Sequence, residues 1–270
     1  APLKTLFVFL ILILSIRHVV AFEIKGQLQP GGLIHVQLEP GSSARLNGNQ
    51  LSVTRDGLLV FGFGRDASVD QVLEIKKPNG STKKQKLTLQ KRNYKVQKIR
   101  GLPKIKVIPP FAQRKRIVNE RHLIITARNK KTKRRDFLGG FSWPVKGRIS
   151  GVFGSQRILN GVPRSPHYGL DIAAPEGTPV LAASSGVISL AHENMFFTGK
   201  TILIDHGFGV STIYVHLSEI SVEVGQSVER GQLVGQVGMT GRATGPHLHW
   251  GLSWGQVRLD PQLVVPPMMN

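Results

Sequence analysis

The sequence predicts a mainly β protein in three parts: a small N-terminal β-sandwich over residues 22–90, a basic and partly helical connector over 91–140, and an antiparallel β domain over 141–270. Three observations carry this. Thirty glycines and sixteen prolines in 270 residues imply many turns. Short alternating runs such as Leu33 to Leu38 and Leu87 to Leu89 are punctuated by Pro30-Gly31, Pro40-Gly41, Asn47-Gly48, Asp56-Gly57 and Asn79-Gly80, the dipeptides that turn a chain between strands. After residue 140 helical periodicity almost disappears, and β runs recur at 186–190, 201–204 and 211–216. A hydrophobic content of 40% is enough for packed cores.

Taken in order, residues 1–21 read as a targeting segment. Lys4 precedes an apolar run from Leu6 to Ile16, and Val19-Val20-Ala21 ends on the small residue a signal peptidase accepts. As a helix that run covers roughly 17 Å, short of a hydrocarbon core of about 30 Å. A cleaved signal is expected, with an uncleaved anchor reaching Phe22 as the alternative; either places the chain in the periplasm or elsewhere in the cell envelope. The sandwich carries no catalytic cluster, and His35 lies in an alternating strand as an ordinary strand residue.

The net charge of +20 is unevenly spread. Residues 141–270 hold eight basic and eight acidic groups, so the whole excess lies upstream. It is densest in the connector, at Lys91-Arg92, Arg114-Lys115-Arg116 and Lys130 to Arg135, and between the last two clusters Ile117, Val118, Leu123, Ile124, Ile125 and Ala127 predict a helix of moderate amphipathicity. Such a run is either a solvated face or an electrostatic hold on anionic envelope polymers or lipid headgroups. Nucleic acid is not expected, because Tyr94 is the one aromatic that accompanies the lysines.

The chemistry-bearing residues lie in the last part. His247-Leu248-His249 follows a Gly/Pro turn and reads as a strand, so both imidazoles share one face. Upstream, His167 and Asp171 are four positions apart. Two histidines and an aspartate are the ligand set of a catalytic zinc, which keeps three protein ligands and a fourth position for water. With no cysteine in the chain, imidazole and carboxylate are the candidate ligands. A working hydrolase would keep one of the three histidines off the metal, and spacing alone does not say which.

The order His167-x-x-x-Asp171, then Tyr214-Val215-His216-Leu217, then Thr240-Gly241-x-x-Thr244-Gly245-Pro246-His247-Leu248-His249 resembles the lysostaphin-type zinc metallopeptidases that cut peptidoglycan peptides. The resemblance covers about residues 141–263. It implies that His167, Asp171 and His249 bind Zn2+, that His247 and His216 are catalytic histidines beside the metal, and that two β layers, a duplicated hybrid motif, face each other under a groove. The preceding part is similar to an N-terminal domain of exported bacterial members, on Gly57-Leu58 to Asp66 and Gly101-Leu102-Pro103. Residues 222–232 also resemble a biotinyl or lipoyl carrier hairpin, but no lysine follows Lys200 to take a cofactor. Arg157 is placed to pair with a substrate carboxylate, and His192 and His206 match no motif position and read as structural.

The expectation is an exported zinc endopeptidase acting on peptidoglycan peptide stems, with a D-alanyl bond to a diamino acid as the favoured target. A non-catalytic wall-binding or regulatory protein on the same scaffold is the alternative. A third reading is an enzyme held inactive by its own connector.

Overall fold

The structure is a computed structural model that describes residues 23–269. The targeting segment expected at 1–21 lies outside the described residues. The first strands form two small antiparallel sheets. One orders β1 (Ile24–Lys25), β2 (Leu33–Gln37) and β5 (Leu58–Gly62); the other orders β4 (Asn49–Leu51), β3 (Ser43–Leu46), β6 (Asp70–Lys76) and β7 (Thr82–Thr88). Their alternating apolar residues, Ile34, Val36, Phe61, Leu73, Ile75 and Leu87 among them, share one core. The β3–β4 hairpin turns at Asn47-Gly48, both at positive φ (50° and 81°), as a two-residue turn matched to strand twist requires.

The basic stretch that follows is integrated into the rest of the chain by three short elements. Strand β8 (Val96–Ile99) is followed by α1 (Lys104–Val107) and α2 (Arg114–Arg128). Helix α2 spans the apolar positions grouped in the sequence, yet it does not present a clean apolar stripe. Val118 and Leu123 are exposed, and the helix rests on Ile124, Ala127 and two buried polar residues, Glu120 and Arg128. Glu120 accepts hydrogen bonds from Arg116 Nε and from the Phe196 amide (2.7 Å each), which fixes the helix across the strands beneath it.

The remaining strands are β9 (Arg148–Gly151), β10 (Gln156–Leu159), β11 (Val162–Arg164), β12 (Leu170–Ala173), β13 (Pro179–Leu181), β14 (Gly186–Met195), β15 (Gly199–Gly207), β16 (Val210–Leu217), β17 (Glu219–Ile220), β18 (Ser227–Val228), β19 (Leu233–Gln236), β20 (His247–Trp254) and β21 (Val257–Leu259). The large sheet runs β18-β14-β15-β16-β20-β12-β9, with β21 beside β20, and a small sheet orders β13-β19-β17. Ile172, Ile188, Ile202, Tyr214, Leu248 and Trp250 of the large sheet and Val180 and Val234 of the small one fill the core between them. The pairings are antiparallel as expected, except that β8 pairs in parallel with β10, Gln97 opposite Arg157. The connector therefore supplies a strand to the peptidase part of the chain.

Every residue of β16 is buried, because both faces are covered. Tyr214 faces the inter-sheet core, whereas Ile213 and Val215 meet Ile124 and Ala127 of α2 on the opposite face. His206 is also fully buried, with Nδ1 2.6 Å from Ser185 O and Nε2 2.7 Å from Thr212 Oγ1. Burial lowers its pKa to about 4 from an unfolded value of 6.5. A group with a lowered folded pKa binds fewer protons in the folded state between those values, so its contribution to stability is lost as pH falls from 6.5 towards 4. The parent chain is expected to lose on the order of 3 kcal/mol more than a His206→Gln variant between pH 7 and pH 4. Denaturant unfolding of both proteins at the two pH values measures this, and equal losses would contradict it.

Candidate metal and catalytic centre

Strand pairing assembles the site. Asp171 on β12 lies opposite His249 on β20, Ala173 opposite His247, and His249 in turn opposite Val215. Cross-strand partners share a face, so Asp171, His247 and His249 project to the side of the sheet that carries α2. His167 approaches from the loop before β12. Its amide donates to Ser155 O and its carbonyl accepts from Gly154 N (2.8 and 2.7 Å). Two glycines leave room for the cluster. A Cβ at Gly151 would lie 2.5 Å from Asp171 Oδ2, and one at Gly169 would lie 2.7 Å from His249 Nε2.

Three donor atoms converge. Asp171 Oδ1 is 2.9 Å from His167 Nε2 and 2.7 Å from His249 Nδ1, and those two nitrogens are 2.9 Å apart. His167 Nδ1 is 3.0 Å from Val152 O, so it carries the ring hydrogen and donates it to that carbonyl, leaving Nε2 as a lone pair. A lone pair aimed at a carboxylate oxygen and a second imidazole nitrogen repels both unless positive charge sits among them. His167, Asp171 and His249 thus fit a bound cation, and imidazole with carboxylate suits a divalent transition metal. Burial acts to raise the Asp171 pKa, but the close contacts with His167 and His249 outweigh it and hold the carboxyl well below the usual range. His249 is lowered to about 4, by burial against the opposing pull of Asp171, and is neutral at pH 7.

His216 reaches this cluster by a backbone exception. Strict alternation along β16 would place it with Thr212 and Tyr214 on the core face. Instead its φ is 66°, in the left-handed region, and Leu217 takes the core position. The His216 amide donates to Thr198 O (2.8 Å), and its ring lies 4.8 Å from that of His247 and 6.3 Å from that of His249, centre to centre. Such a conformation in a non-glycine residue costs about 1–3 kcal/mol and is held by its surroundings. His216 Nδ1 is 2.7 Å from Thr240 O and His247 Nδ1 is 2.8 Å from Gly245 O. Both rings therefore donate through Nδ1 and keep Nε2 open. Burial, then His247 and His249, lower the His216 pKa to about 3.

Arg157 sits at the same centre. Its Nη2 donates to Asp171 Oδ2 and its Nε to Gln97 Oε1 (3.2 Å), so the guanidinium orients the carboxylate. His192 lies apart, with Nδ1 accepting from Asn194 N, and His206 is the buried core residue described above. A pocket of about 270 Å³ opens beside the cluster, reaching His216, His247 and Asp171, and Gln97, Ile99 and Leu102 of the connector form one wall of it. Arg148 and Arg242 also line it, and neither stands out in the sequence. On the other side, a cleft of about 1130 Å³ between α2, Phe63 and Val215 reaches His249.

Comparison with known proteins agrees with this geometry. The model for peptidase family M23 matches residues 165–261. A crystal structure of a Pseudomonas aeruginosa protein assigned to peptidase M23 superposes with a TM-score of 0.66 at 31% identity, covering 88% of this chain and 94% of that one. The peptidoglycan DD-endopeptidase ShyA of Vibrio cholerae is 45% identical over 113 residues, 41% of this chain and 26% of its own length. The DD-carboxypeptidase/endopeptidase Mpg of Neisseria meningitidis is 44% identical over 100 residues, 37% of this chain and 22% of its own. The chain thus spans about a quarter of the length of these curated relatives. It belongs to peptidase family M23, a family of metallopeptidases.

Residues that orient a metal ligand tune affinity strongly. Arg157→Ala is expected to weaken divalent-metal binding about 10- to 100-fold, measured by competition with a chelator, with Arg157→Lys intermediate. Unchanged affinity would show that Arg157 does not hold the Asp171 carboxylate.

Proposed function

We propose that this chain is an exported zinc endopeptidase that hydrolyses peptide cross-links of peptidoglycan, with His167, Asp171 and His249 as metal ligands and His247 and His216 as catalytic histidines. The observation that carries it is the convergence of His167 Nε2, Asp171 Oδ1 and His249 Nδ1 beside two imidazoles whose Nε2 atoms are open. Bound there, zinc lowers the pKa of a water to about 7 and polarises a peptide carbonyl.

The chain's own groups supply the rest. His247 Nε2 lies 3.9 Å from Asp171 Oδ1, close to the ligand atoms without being among them. In that position it takes a proton from the attacking water and returns it to the leaving amine. His216, held neutral by burial, presents an acceptor that orients the water. Once protonated, either ring becomes a donor to the oxyanion or the amine. Arg157 keeps the Asp171 carboxylate turned towards the two histidines.

The substrate class rests on the relatives: two that align with this part of the chain are peptidoglycan DD-endopeptidases of Vibrio cholerae, which supports the D-alanyl bond to a diamino acid. Fold alone does not select the bond. Export is supported by the apolar segment before residue 22 and places the protein in the cell envelope. The connector's cations are a hold for anionic polymers or lipid headgroups there.

Digestion of purified peptidoglycan by the zinc-loaded parent, His249→Ala and His247→Ala, with mass analysis of fragments and metal content of each protein, tests this. Fragments are expected from the parent, zinc is lost in His249→Ala, and zinc is kept in His247→Ala while the rate falls about 100-fold or more. A zinc-loaded parent that cuts nothing would favour the wall-binding alternative.

A further inference from the structure

The pocket beside His247 carries more cationic character than the proposed chemistry uses. Arg148, Arg157 and Arg242 line it, and its one acidic lining residue is Asp171. That carboxylate is already engaged, through Oδ1 by the histidines and through Oδ2 by Arg157. Among the described residues no ion pair involves Arg148 or Arg242, so two guanidinium groups face the pocket with no carboxylate partner.

Their placement follows from the fold. Arg148 on β9 is opposite Ala173 on β12, and Ala173 is opposite His247 on β20, so Arg148 and His247 stand in one cross-strand row on one face. Arg242 is held in the turn before β20. Its amide donates to Phe197 O (2.8 Å), and its guanidinium carbon stacks 4.6 Å from the centre of the Phe197 ring. One weak side-chain hydrogen bond, from Nη1 to Lys106 O at 3.4 Å, is its polar contact. Burial, and then repulsion from Arg157 and Arg164, lower its pKa to about 10, an electrostatic cost that an anion in the pocket would relieve. The opposite wall is apolar, with Ile99, Leu102 and Leu159. About 270 Å³ is smaller than an ordinary ligand pocket and suits one residue's chain.

We propose that this pocket is the subsite for a substrate residue bearing a free carboxylate next to the scissile bond, and that Arg242, assisted by Arg148, reads that carboxylate. The inference rests on the peptidase reading above. Because the pocket adjoins His247, the ring that returns a proton to the leaving amine, the residue it holds is the one on the amine side. A diamino dicarboxylic acid that donates one amine to a cross-link keeps a carboxylate on the carbon that bears that amine, and its aliphatic chain would lie along Ile99 and Leu102. The guanidinium recognises this group by charge-assisted hydrogen bonds that a neutral carboxamide cannot match.

The test uses two cross-linked peptides that differ by a carboxylate or a carboxamide on the amine-side residue, with the zinc-loaded full chain. The parent is expected to favour the carboxylate in kcat/KM by about tenfold or more. Arg242→Ala is expected to bring that ratio close to one, and Arg242→Lys to restore part of it. A ratio taken within one protein is insensitive to partial unfolding of a variant. A parent that does not discriminate, or an Arg242→Ala variant that keeps the ratio, would overturn the subsite. If the parent cleaves neither peptide, the peptidase reading fails, and calorimetric titration of the two peptides decides the subsite by itself. Tighter binding of the carboxylate peptide, lost in Arg242→Ala, supports it; equal binding refutes it.

Discussion

The Asp171 carboxylate is the point on which the site depends. One oxygen meets His167 and His249, the other meets Arg157, and the residue is buried. An isolated buried carboxylate would be protonated; this one is held ionised by its neighbours against the pull of burial. Each contact comes from a different element: His249 from the paired strand β20, His167 from the loop that enters β12, and Arg157 from β10. The carboxylate thereby couples the geometry of the large sheet to that of the separate three-stranded sheet β11-β10-β8, to which the connector contributes β8.

This coupling gives the connector a structural role. Strand β8 pairs with β10, so the segment that positions Arg157 is itself aligned by residues 96–99, and Gln97 shares the Arg157 guanidinium with Asp171. Helix α2 covers Ile213 and Val215 on the face that bears the histidines. The connector's charge and its contacts are separate properties. Most of its lysines and arginines point to solvent, while a few buried groups, Glu120 above all, fix its position.

Much of the centre was legible in the sequence. Alternation in a strand places His247 and His249 on one face, and the order of the histidine and aspartate motifs led to a metallopeptidase family that the comparisons then showed. The β-rich architecture followed from turn dipeptides such as Asn47-Gly48, whose torsions suit the hairpin they predict. Three things were not legible. His216 escapes the period-2 rule through a left-handed torsion that only its surroundings stabilise. Arg157 contacts Asp171 across a pairing between strands distant in sequence, which no local pattern encodes. The face α2 uses could not be read from hydrophobicity, because two of its buried residues are charged. Arg157 was singled out as a partner for a substrate carboxylate and not for its contact with Asp171, whereas Arg148 and Arg242 were missed, since their shared pocket exists only once β9, β12 and β20 are in register.

The central claim is that three particular atoms hold the metal while two neighbouring imidazoles stay free of it. A crystal structure of the zinc-loaded chain with anomalous scattering at the zinc edge tests this most directly. The account predicts one zinc bonded at about 2.0–2.2 Å by His167 Nε2, Asp171 Oδ1 and His249 Nδ1, with His216 and His247 outside bonding distance. A zinc ligated by His216 or His247, or bound away from Asp171, would contradict it.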